Sequence, residues 1–468
     1  MSHDGAAGWL FLASLFFYGW WMPEYTLLLL ASIGGNYFVG QRTARAQDAG
    51  SSAGKAWMVA GITANLVLLG YFKYANFFIA SLDAALGIEW QMGRVILPIG
   101  ISFFTFTQIA FLADSWQKGV REVKFIHYGL FVTYFPHLIA GPVLHHAQMM
   151  PQFRLPQTYR IDGGQFAGGL AIFALGLFKK VVLADGVAPF ADAVFNPADA
   201  GHAVDAVEGW IGALAYTFQL YFDFSGYSDM AIGLSWMFNV RLPFNFDSPY
   251  RAANISEFWR RWHMTLSAFL RDYLYVPLGG NRKGRFRRYL NLMVTMLLGG
   301  LWHGASWSFV FWGGLHGLYL AVHQGWRALL GPTTAARLDA NHLYRLVGWA
   351  LTLLVVVVAW VFFRAVTFDG ALRVLHGMGG GYEVQTEHAL LWNAGLHASA
   401  GWAWCAVLGG IACLLPNSNQ IGSLLLVRCR ASWRAAAFIG GVALSAALML
   451  VLINTLRDTT SAFIYFNF

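Results

Sequence analysis

The chain has 468 residues, of which 57% are hydrophobic and only 12% are charged. Soluble domains carry roughly 25% charged residues, so this composition excludes an ordinary soluble enzyme and indicates a chain embedded in a bilayer. The net charge of +8 does not indicate nucleic-acid binding, because the basic residues lie in short loops between apolar runs. Three scattered cysteines are too few for a disulfide framework or a zinc site, and we expect no metal and no bound cofactor.

Apolar runs that are long enough to cross a membrane recur along the chain. A spanning helix needs about 20 apolar residues. On that basis we predict eleven transmembrane helices, at residues 6–21, 24–40, 56–80, 94–116, 165–184, 210–239, 289–302, 304–326, 346–364, 400–416 and 435–454. The predicted fold class is therefore all-α, with residues 1–468 forming a single polytopic membrane domain.

The charged loops predict how these helices are oriented. If eleven helices alternate in direction, the Lys- and Arg-rich segments all fall on one side of the membrane: residues 42–55, 118–124, 241–288, 327–345 and 428–434. Residues 185–209 carry acidic residues without Lys or Arg and fall on the other side. Because basic loops stay in the cytoplasm, we expect a cytoplasmic N-terminus and a C-terminus on the far side.

Two segments do not have the pattern of simple spans. Residues 125–150 are interrupted by Pro136 and Pro142 and are predicted to form a re-entrant or half-buried element, since irregular backbone at membrane depth must be buried in protein or line a cavity. Residues 241–288 mix aromatic side chains with Arg, which predicts amphipathic helices in the cytoplasmic interface. We find no convincing internal repeat, which weakens a transporter interpretation.

Histidines near the apolar helices are the first candidates for chemistry. His303 stands in LLGGLWHGASW at the junction of two predicted helices, beside glycines. A neutral imidazole there can act as a general base toward a hydroxyl, or it can be a packed side chain; the residues alone leave both interpretations open. His263, in EFWRRWHMTLSAFLRDYLY, is explained equally well by an interfacial helix, and local chemistry favours that structural role.

Two further groups of polar residues have more than one interpretation. Asp223 and Asp229, in YFDFSGYSDMAIG, can orient a histidine, relay protons or tie helices together, and the last role is favoured. Arg282, Lys283 and Arg285 lie in the loop LGGNRKGRFRR, whose charges suit the phosphates of an anionic donor such as coenzyme A. The same charges are also what a cytoplasmic loop requires.

Longer stretches of the sequence carry a resemblance to a known family. YFDFSGYSDMAIG, EFWRRWHMTLSAFLRDYLYVPLGGNRKG and NLMVTMLLGGLWHGASWSFVFWGGLHG resemble the membrane-bound O-acyltransferase (MBOAT) family in its alginate O-acetylation branch. LGYFKYANFF, LPIGISFFTFTQIAFLAD and FPHLIAGPVLHH extend the likeness over about residues 9–364. The resemblance implies helices around a membrane-crossing tunnel, with His303 as the hallmark catalytic histidine and His263 as the second.

The resemblance also implies an activity and a location. The chain would be an acetyltransferase of the bacterial inner membrane that passes acetyl from a cytoplasmic thioester, acetyl-CoA, across the bilayer. The product would be an O-acetylated exopolysaccharide such as alginate or cellulose, and the expected partners are a periplasmic acetyltransferase and a polysaccharide synthase complex. The rival function is a transporter or channel for glycan or acyl donor, in which the histidines only line the path.

The C-terminal sequence SAFIYFNF follows the last predicted helix. Its apolar and aromatic residues predict a tail that is tucked into a groove, and an interfacial aromatic anchor is the simplest interpretation. Likeness to systems that D-alanylate teichoic acid implies a second possibility, in which Tyr465 carries the acyl group and Phe463, Phe466 and Phe468 hold the tail.

Overall fold

The structure is a computed structural model that describes residues 3–87, 93–122, 124–139, 141–381, 388–456 and 463–464. Within these ranges the regular secondary structure is helical throughout. The predicted all-α fold class is therefore confirmed.

The described residues form nineteen α-helices, labelled in chain order. They are α1 (His3–Trp21), α2 (Pro23–Asp48), α3 (Ala53–Leu86), α4 (Ile101–Gln117), α5 (Phe125–Thr133), α6 (Phe135–Leu138), α7 (His146–Phe153), α8 (Gly163–Asp199), α9 (Ala206–Met237), α10 (Ile255–Arg261), α11 (Met264–Leu270), α12 (Gly284–His303), α13 (Trp307–Asp339), α14 (His342–Arg364), α15 (Phe368–Met378), α16 (Ala389–Asn393), α17 (Ala398–Leu414), α18 (Ser418–Ala431) and α19 (Trp433–Thr455). A π-helical turn interrupts α3 at Gly70–Tyr74 and α8 at Lys179–Ala184, and another, Arg271–Tyr275, follows α11.

Helix α4 begins later than predicted. The expected span started at residue 94, but Gly100 has a left-handed backbone (φ 72°), and a Cβ atom there would lie 2.9 Å from the Leu138 carbonyl oxygen. Only glycine combines that backbone with so close an approach. The helix starts at Ile101, because the turn before it takes the preceding apolar residues out of the helix.

Other helices extend beyond their predicted ends. Helix α8 continues through its π-helical turn to Asp199, so the first part of the predicted acidic loop is helical. Helix α13 continues to Asp339 with a break at Gly331, where φ is 69°. Hydropathy underestimates both helices, because their C-terminal parts mix charged and apolar residues, which lowers the average hydropathy although the backbone stays helical.

Within the described ranges, only some of the predicted transmembrane helices have both the length and the hydropathy of a membrane span. Four helices do so, α3, α8, α14 and α19, and α17 with α18, bent by 59°, makes up to five. The other helices fall below one of these two criteria. The number of eleven crossings therefore stays a prediction.

The chain divides into two compact units, each assembled from three segments. The first unit comprises Met1–Phe173, Met230–Pro243 and Leu425–Ala443, and the second comprises Ala174–Asp229, Phe244–Leu424 and Leu444–Phe468. The chain passes between units within helices α8, α9, α18 and α19 and in the loop at residues 243–244. The single domain over residues 1–468 stays a prediction.

In the first unit, polar side chains hold helices together between apolar surfaces. Asn65 Nδ2 donates to Asn36 Oδ1 at 2.6 Å, and Asn36 Nδ2 donates back to Asn65 Oδ1 at 3.2 Å. The two amides therefore satisfy each other between α2 and α3, which is how polar residues connect helices within a bilayer.

The interrupted segment of residues 125–150 also lies in the first unit. It forms the three short helices α5, α6 and α7, and Tyr128, Phe131 and Tyr134 are fully buried there. The irregular backbone between these helices is thus enclosed by protein, as membrane depth requires. The predicted burial of this segment in protein is confirmed, and its re-entrant position in the membrane stays a prediction.

In the second unit, α12 and α13 form a tight helical hairpin. A Cβ atom at Gly300 would lie 2.2 Å from the Phe309 carbonyl oxygen, and one at Gly313 would lie 2.3 Å from the Met296 carbonyl oxygen. Neither position has room for a side chain, so the two backbones pack directly against each other. Small residues allow this contact between membrane helices.

The predicted amphipathic segment, residues 241–288, lies in the second unit apart from its first three residues. It contains α10 and α11, which bury Phe258 and Leu266 while Arg260 stays exposed, and Trp262 between the two helices is also buried. This alternation confirms the amphipathic pattern that the sequence predicts.

We predict that Gly313→Ala destabilises the hairpin, because the added methyl group overlaps the Met296 carbonyl oxygen. Overpacking of this kind costs about 1–3 kcal/mol, which should lower the melting temperature of the detergent-solubilised protein. Gly314→Ala is the matched control, since its Cβ atom would meet only Leu297 Cδ2, at 3.5 Å. Equal melting temperatures for the two variants would contradict the hairpin contact.

Candidate active site

His303 is the last residue of α12, at the closed end of the helical hairpin. The backbone leaves the helix at Gly304, which is extended, and a Cβ atom there would lie 2.1 Å from Phe309 Cε2. The imidazole is 3% exposed, with its centroid 5.1 Å from Trp312 and 5.4 Å from Phe363. Aromatic rings therefore enclose the histidine and keep water away from it.

His263 is positioned by an irregular backbone between α10 and α11. Its φ of 42° is left-handed, a conformation that is uncommon for residues other than glycine and that persists only when the surroundings impose it. Two backbone hydrogen bonds impose it here: Met264 N–H donates to Asn245 O, and Asp247 N–H donates to Arg261 O, each at 2.9 Å. These bonds hold residues 245–247 beside the segment that carries His263.

The two histidines, 40 positions apart in sequence, lie side by side. Their ring centroids are 6.3 Å apart. His263 is fully buried, and Phe224 packs edge-on against it at 4.8 Å. His263 lies outside the predicted membrane spans. Burial lowers the pKa of this imidazole to about 3, so it is neutral at physiological pH.

This arrangement has the geometry of a general-base site. A neutral imidazole accepts a proton from a hydroxyl that approaches within hydrogen-bond distance, and a second imidazole at this spacing can hold the other reactant. Enclosure by apolar rings strengthens the electrostatic interactions of both side chains. The structure thus brings together His303 and His263, which the sequence offered as catalytic candidates.

His316 has a structural role. It is fully buried on α13, and Trp259 Nε1–H donates to its Nδ1 at 3.2 Å, which links α10 to α13. Trp312 packs between His316 and His303, with its centroid 4.7 Å from the first and 5.1 Å from the second. His316 therefore supports the wall of the site.

Asp223 and Asp229 tie helices together, as the sequence favoured. Lys179 Nζ lies 2.6 Å from Asp229 Oδ2, and Lys180 Nζ lies 2.7 Å from Asp223 Oδ1. Ser418 joins the first pair, accepting from Lys179 at 2.9 Å and donating to Asp229 at 3.0 Å. These buried ion pairs connect α8, α9 and α18.

The sequence interpretation overlooked Lys179 and Lys180. Both lie in the apolar run FALGLFKKVVLADG, and a lysine at membrane depth is costly unless it is paired. That cost is a signal in the sequence that each lysine has a partner. The sequence does not say which residues these partners are, because Asp223 and Asp229 lie more than 40 positions further along the chain.

Two residues of the C-terminal tail lie against α9 in the second unit. Phe463 is 6% exposed and stacks on Tyr227, with centroids 4.3 Å apart, and Ile464 N–H donates to Asp223 Oδ2 at 3.0 Å. Phe224, which packs against His263, is also a neighbour of Phe463, at 6.1 Å. The predicted burial of the tail is confirmed for these two residues, whereas Tyr465, Phe466 and Phe468 lie outside the described residues.

The three predicted donor-binding residues lie on the exposed turn before α12 and in its first residues. Arg282, Lys283 and Arg285 are all exposed. Exposure leaves their charges available to a ligand. It is equally compatible with charges that only keep this loop in the cytoplasm. Their assignment to the donor stays a prediction.

Neither a metal cluster nor a disulfide is found in the described ranges. No three His, Cys, Asp or Glu side chains group there as metal ligands, and Cys405, Cys413 and Cys429 are free thiols. The expectation of no metal and no bound cofactor stays a prediction.

Comparison with known proteins adds a family and named relatives. Residues 99–365, which include both histidines, match the membrane-bound O-acyltransferase family, MBOAT. The chain is 39% identical over 502 aligned positions to a peptidoglycan O-acetyltransferase of Helicobacter pylori, covering 98% of this chain and 91% of the relative. It is 44% identical over 377 positions to a probable alginate O-acetylase, AlgI, of Pseudomonas aeruginosa, covering 79% and 69%.

A more distant similarity extends to another acyl group. A teichoic acid D-alanyltransferase of Streptococcus thermophilus is 27% identical over 243 aligned positions, which cover 49% of this chain and 57% of the relative. The names of these relatives share acyl transfer but give different acyl groups and polymers.

We predict that Lys180→Met destabilises the chain, because it leaves two buried carboxylates, Asp223 and Asp185, without their shared cation. Breaking a buried ion pair costs about 3–5 kcal/mol, and adding Asp223→Asn should recover part of that loss. The control is Arg327→Met, which removes an ion pair to Asp339 whose side chains are 37% and 50% exposed and should cost at most about 1 kcal/mol. Thermal unfolding in detergent measures all three; a Lys180→Met protein that melts like the wild type would contradict the buried pairing.

Proposed function

Because this chain belongs to the membrane-bound O-acyltransferase family, we propose that it transfers acetyl from cytoplasmic acetyl-CoA across the bacterial inner membrane for O-acetylation of a polysaccharide. The chain is a multi-pass membrane protein and an O-acyltransferase. The observation that carries the reaction is the pair of buried histidines, 6.3 Å apart, within the matched residues.

His303 acts as the general base. It takes the proton from an acceptor hydroxyl while the hydroxyl oxygen bonds to the acetyl carbonyl carbon. The tetrahedral intermediate collapses with cleavage of the carbon–sulfur bond, and the proton passes from the imidazolium to the departing thiolate. His263 positions a reactant within hydrogen-bond reach of His303, and the aromatic wall excludes water that would hydrolyse the thioester.

The immediate acceptor is the hydroxyl of Tyr465. Support comes from Phe463 and Ile464, which are seated beside Phe224 and hence near His263. Transfer from acetyl-CoA forms an acetyl ester on the tyrosine oxygen. With the C-terminus on the periplasmic side and the N-terminus in the cytoplasm, a periplasmic acetyltransferase then moves this acetyl group to the polymer beside a polysaccharide synthase complex.

Arg282, Lys283 and Arg285 attract the phosphates of the donor at the cytoplasmic side. Their exposure suits a first, long-range contact with an anion. The donor would then move inward toward the histidines.

The acceptor polymer belongs to a class and not to one named compound. The relatives are a peptidoglycan O-acetyltransferase and probable alginate O-acetylases, so peptidoglycan joins alginate and cellulose as a possible acceptor. What these polymers share is a sugar hydroxyl, which is the group that O-acetylation requires.

Family membership argues against the transporter or channel alternative. The similar proteins are named as acetyltransferases, acetylases and D-alanyltransferases, and a passive path has no need of an enclosed base at the end of a glycine-lined hairpin. A transporter would also continue to move its cargo when His303 loses only the ability to accept a proton.

We predict that His303→Ala lowers acetyl transfer by about a hundredfold to ten-thousandfold, as loss of a general base does. Expression and the detergent-solubilised fold should stay close to wild type. His263→Ala should also impair transfer, whereas the control His202→Ala, at an exposed loop position, should not. Acetyl transfer is measured with the purified chain and acetyl-CoA. Wild-type rates from His303→Ala would contradict the general-base assignment, and aggregation of His263→Ala would assign that residue a structural role.

We predict that Tyr465→Phe abolishes polymer acetylation at normal membrane abundance, because it removes only the hydroxyl and keeps the ring. The measurement is the acetyl content of the polymer in cells that express either form. Phe463→Leu is the companion variant, since it weakens the stack on Tyr227 without removing a hydroxyl. Polymer acetylation that survives Tyr465→Phe would leave the tail as an aromatic anchor only.

A further inference from the structure

A polar groove of about 680 Å³ lies within the first unit, whereas both candidate catalytic histidines belong to the second. Residues from all three segments of the first unit line it: Gln152 and Arg160 come from the first segment, Arg241 from the second and Arg430 from the third. A ligand in this groove therefore contacts every segment from which the unit is assembled.

The groove carries an excess of positive charge. Its charged lining residues are Arg160, Arg241, Arg430 and Asp162. Within the described part of the chain, none of the three guanidinium groups forms an ion pair, although another arginine of the same unit does, with Arg154 Nη2 2.7 Å from Glu122 Oε2. The carboxylate of Asp162 is already used at the start of α8, where its Oδ1 accepts the Gln165 N–H at 2.9 Å. The groove thus suits an anion.

Side-chain amides fix the backbone of two of these arginines. Gln152 Nε2 donates to the Arg241 carbonyl oxygen at 2.9 Å, and the Arg241 N–H donates back to Gln152 Oε1 at 2.8 Å. Asn239 Nδ2 donates to the Arg160 carbonyl oxygen. The wall therefore has its shape before any ligand arrives, which lowers the entropy lost on binding.

The third arginine is oriented through its side chain. Gln165, on α8, is only 2% exposed, and its Oε1 accepts from Arg430 Nη2. A guanidinium has five N–H donors, so this bond leaves others for a ligand. Charge alone is enough to keep a loop in the cytoplasm, whereas a buried amide that orients a guanidinium indicates a binding site.

Two helices that have the length and hydropathy of a membrane span begin at the groove. Helix α8 begins directly after Asp162, and α19 begins at Trp433, three positions after Arg430. Trp433 is 77% exposed, as is typical of an aromatic anchor at the membrane interface. Ile161, which lines the groove, is 99% exposed. The groove therefore lies at the level of the lipid headgroups, with an apolar side chain beside its arginines.

We propose that this groove binds the phosphate headgroup of an anionic phospholipid such as phosphatidylglycerol. Arg160, Arg241 and Arg430 donate to the phosphate oxygens, which the planar guanidinium group can contact through two N–H groups at once. Leu155 and Ile161 contact the first methylene groups of the acyl chains. The lipid then holds the three segments of the first unit together, a role separate from acetyl transfer.

The predicted topology agrees with this ligand. Residues 241–288 and 428–434, which supply two of the three arginines, are basic segments expected on the cytoplasmic side. The cytoplasmic leaflet has the negative surface charge that attracts clusters of Lys and Arg. A soluble phosphate compound shares the arginine contacts, but it has no acyl chain for Leu155 and Ile161.

The experiment measures binding of phosphatidylglycerol and phosphatidylcholine to the purified full chain in detergent by native mass spectrometry. Wild type should bind phosphatidylglycerol about tenfold more tightly, because choline cancels the phosphate charge of the other lipid. Arg160→Gln and Arg241→Gln should each weaken phosphatidylglycerol binding about tenfold, through loss of a hydrogen bond to a charged group. Gln165→Met keeps every charge and should weaken it about threefold.

The matched control removes three positive charges from the same unit and the same predicted side. It combines Arg42→Gln, Arg45→Gln and Lys55→Gln, all at exposed positions, and should stay within about twofold of wild type. Phosphatidylglycerol should also raise the melting temperature of wild type and of this control, but not that of the Arg160→Gln/Arg241→Gln double variant. If a glutamine variant fails to fold, Arg160→Lys and Arg241→Lys replace it and should still weaken binding, since lysine cannot make the two-pronged contact.

Two soluble competitors distinguish a lipid from a free phosphate. Glycerophosphoglycerol, which is the headgroup without acyl chains, and inorganic phosphate should displace phosphatidylglycerol only weakly. Displacement by either one as effective as that by the lipid would overturn the lipid assignment. Equal affinity of wild type for the two lipids, or equal losses in the control and the groove variants, would reduce the groove to general surface charge. No donor or acceptor is present in these measurements, so their outcome is independent of acetyl transfer.

Discussion

Direct backbone contact between α12 and α13 is the interaction on which the site in the second unit depends. Gly300 and Gly313 leave no room for a side chain between the helices, so the hairpin closes tightly and ends at His303. Attraction within a bilayer comes from close packing and not from the hydrophobic effect. The same contact therefore stabilises the hairpin and places the histidine among the rings of Trp312 and Phe363.

The second histidine reaches the site by a different physical route. His263 keeps a left-handed backbone, which costs about 1–3 kcal/mol, and the hydrogen bonds of residues 245–247 to residues 261–264 hold it there. One catalytic candidate thus lies on a helix end and the other on irregular backbone. The helix end that carries His303 and the irregular backbone that carries His263 meet at the site because each is held by its own local contacts.

Buried charge connects the helix framework to the chain end. Lys180 neutralises Asp223 through one carboxylate oxygen, and the other oxygen accepts the backbone N–H of Ile464. Charges at membrane depth persist only when they are paired. Here the pairing fixes α8 against α9 and also seats the tail close to Phe224, a direct neighbour of His263.

The sequence by itself determined the all-α membrane class, the interrupted segment of residues 125–150 and the two histidines, because composition, hydropathy and motif words are local properties of the chain. Only the tertiary structure decided that His263 and His303 lie 6.3 Å apart, that Lys179 and Lys180 pair with Asp229 and Asp223, and that α4 starts at Ile101. Each of these depends on contacts between residues distant in sequence, whose geometry no local pattern encodes.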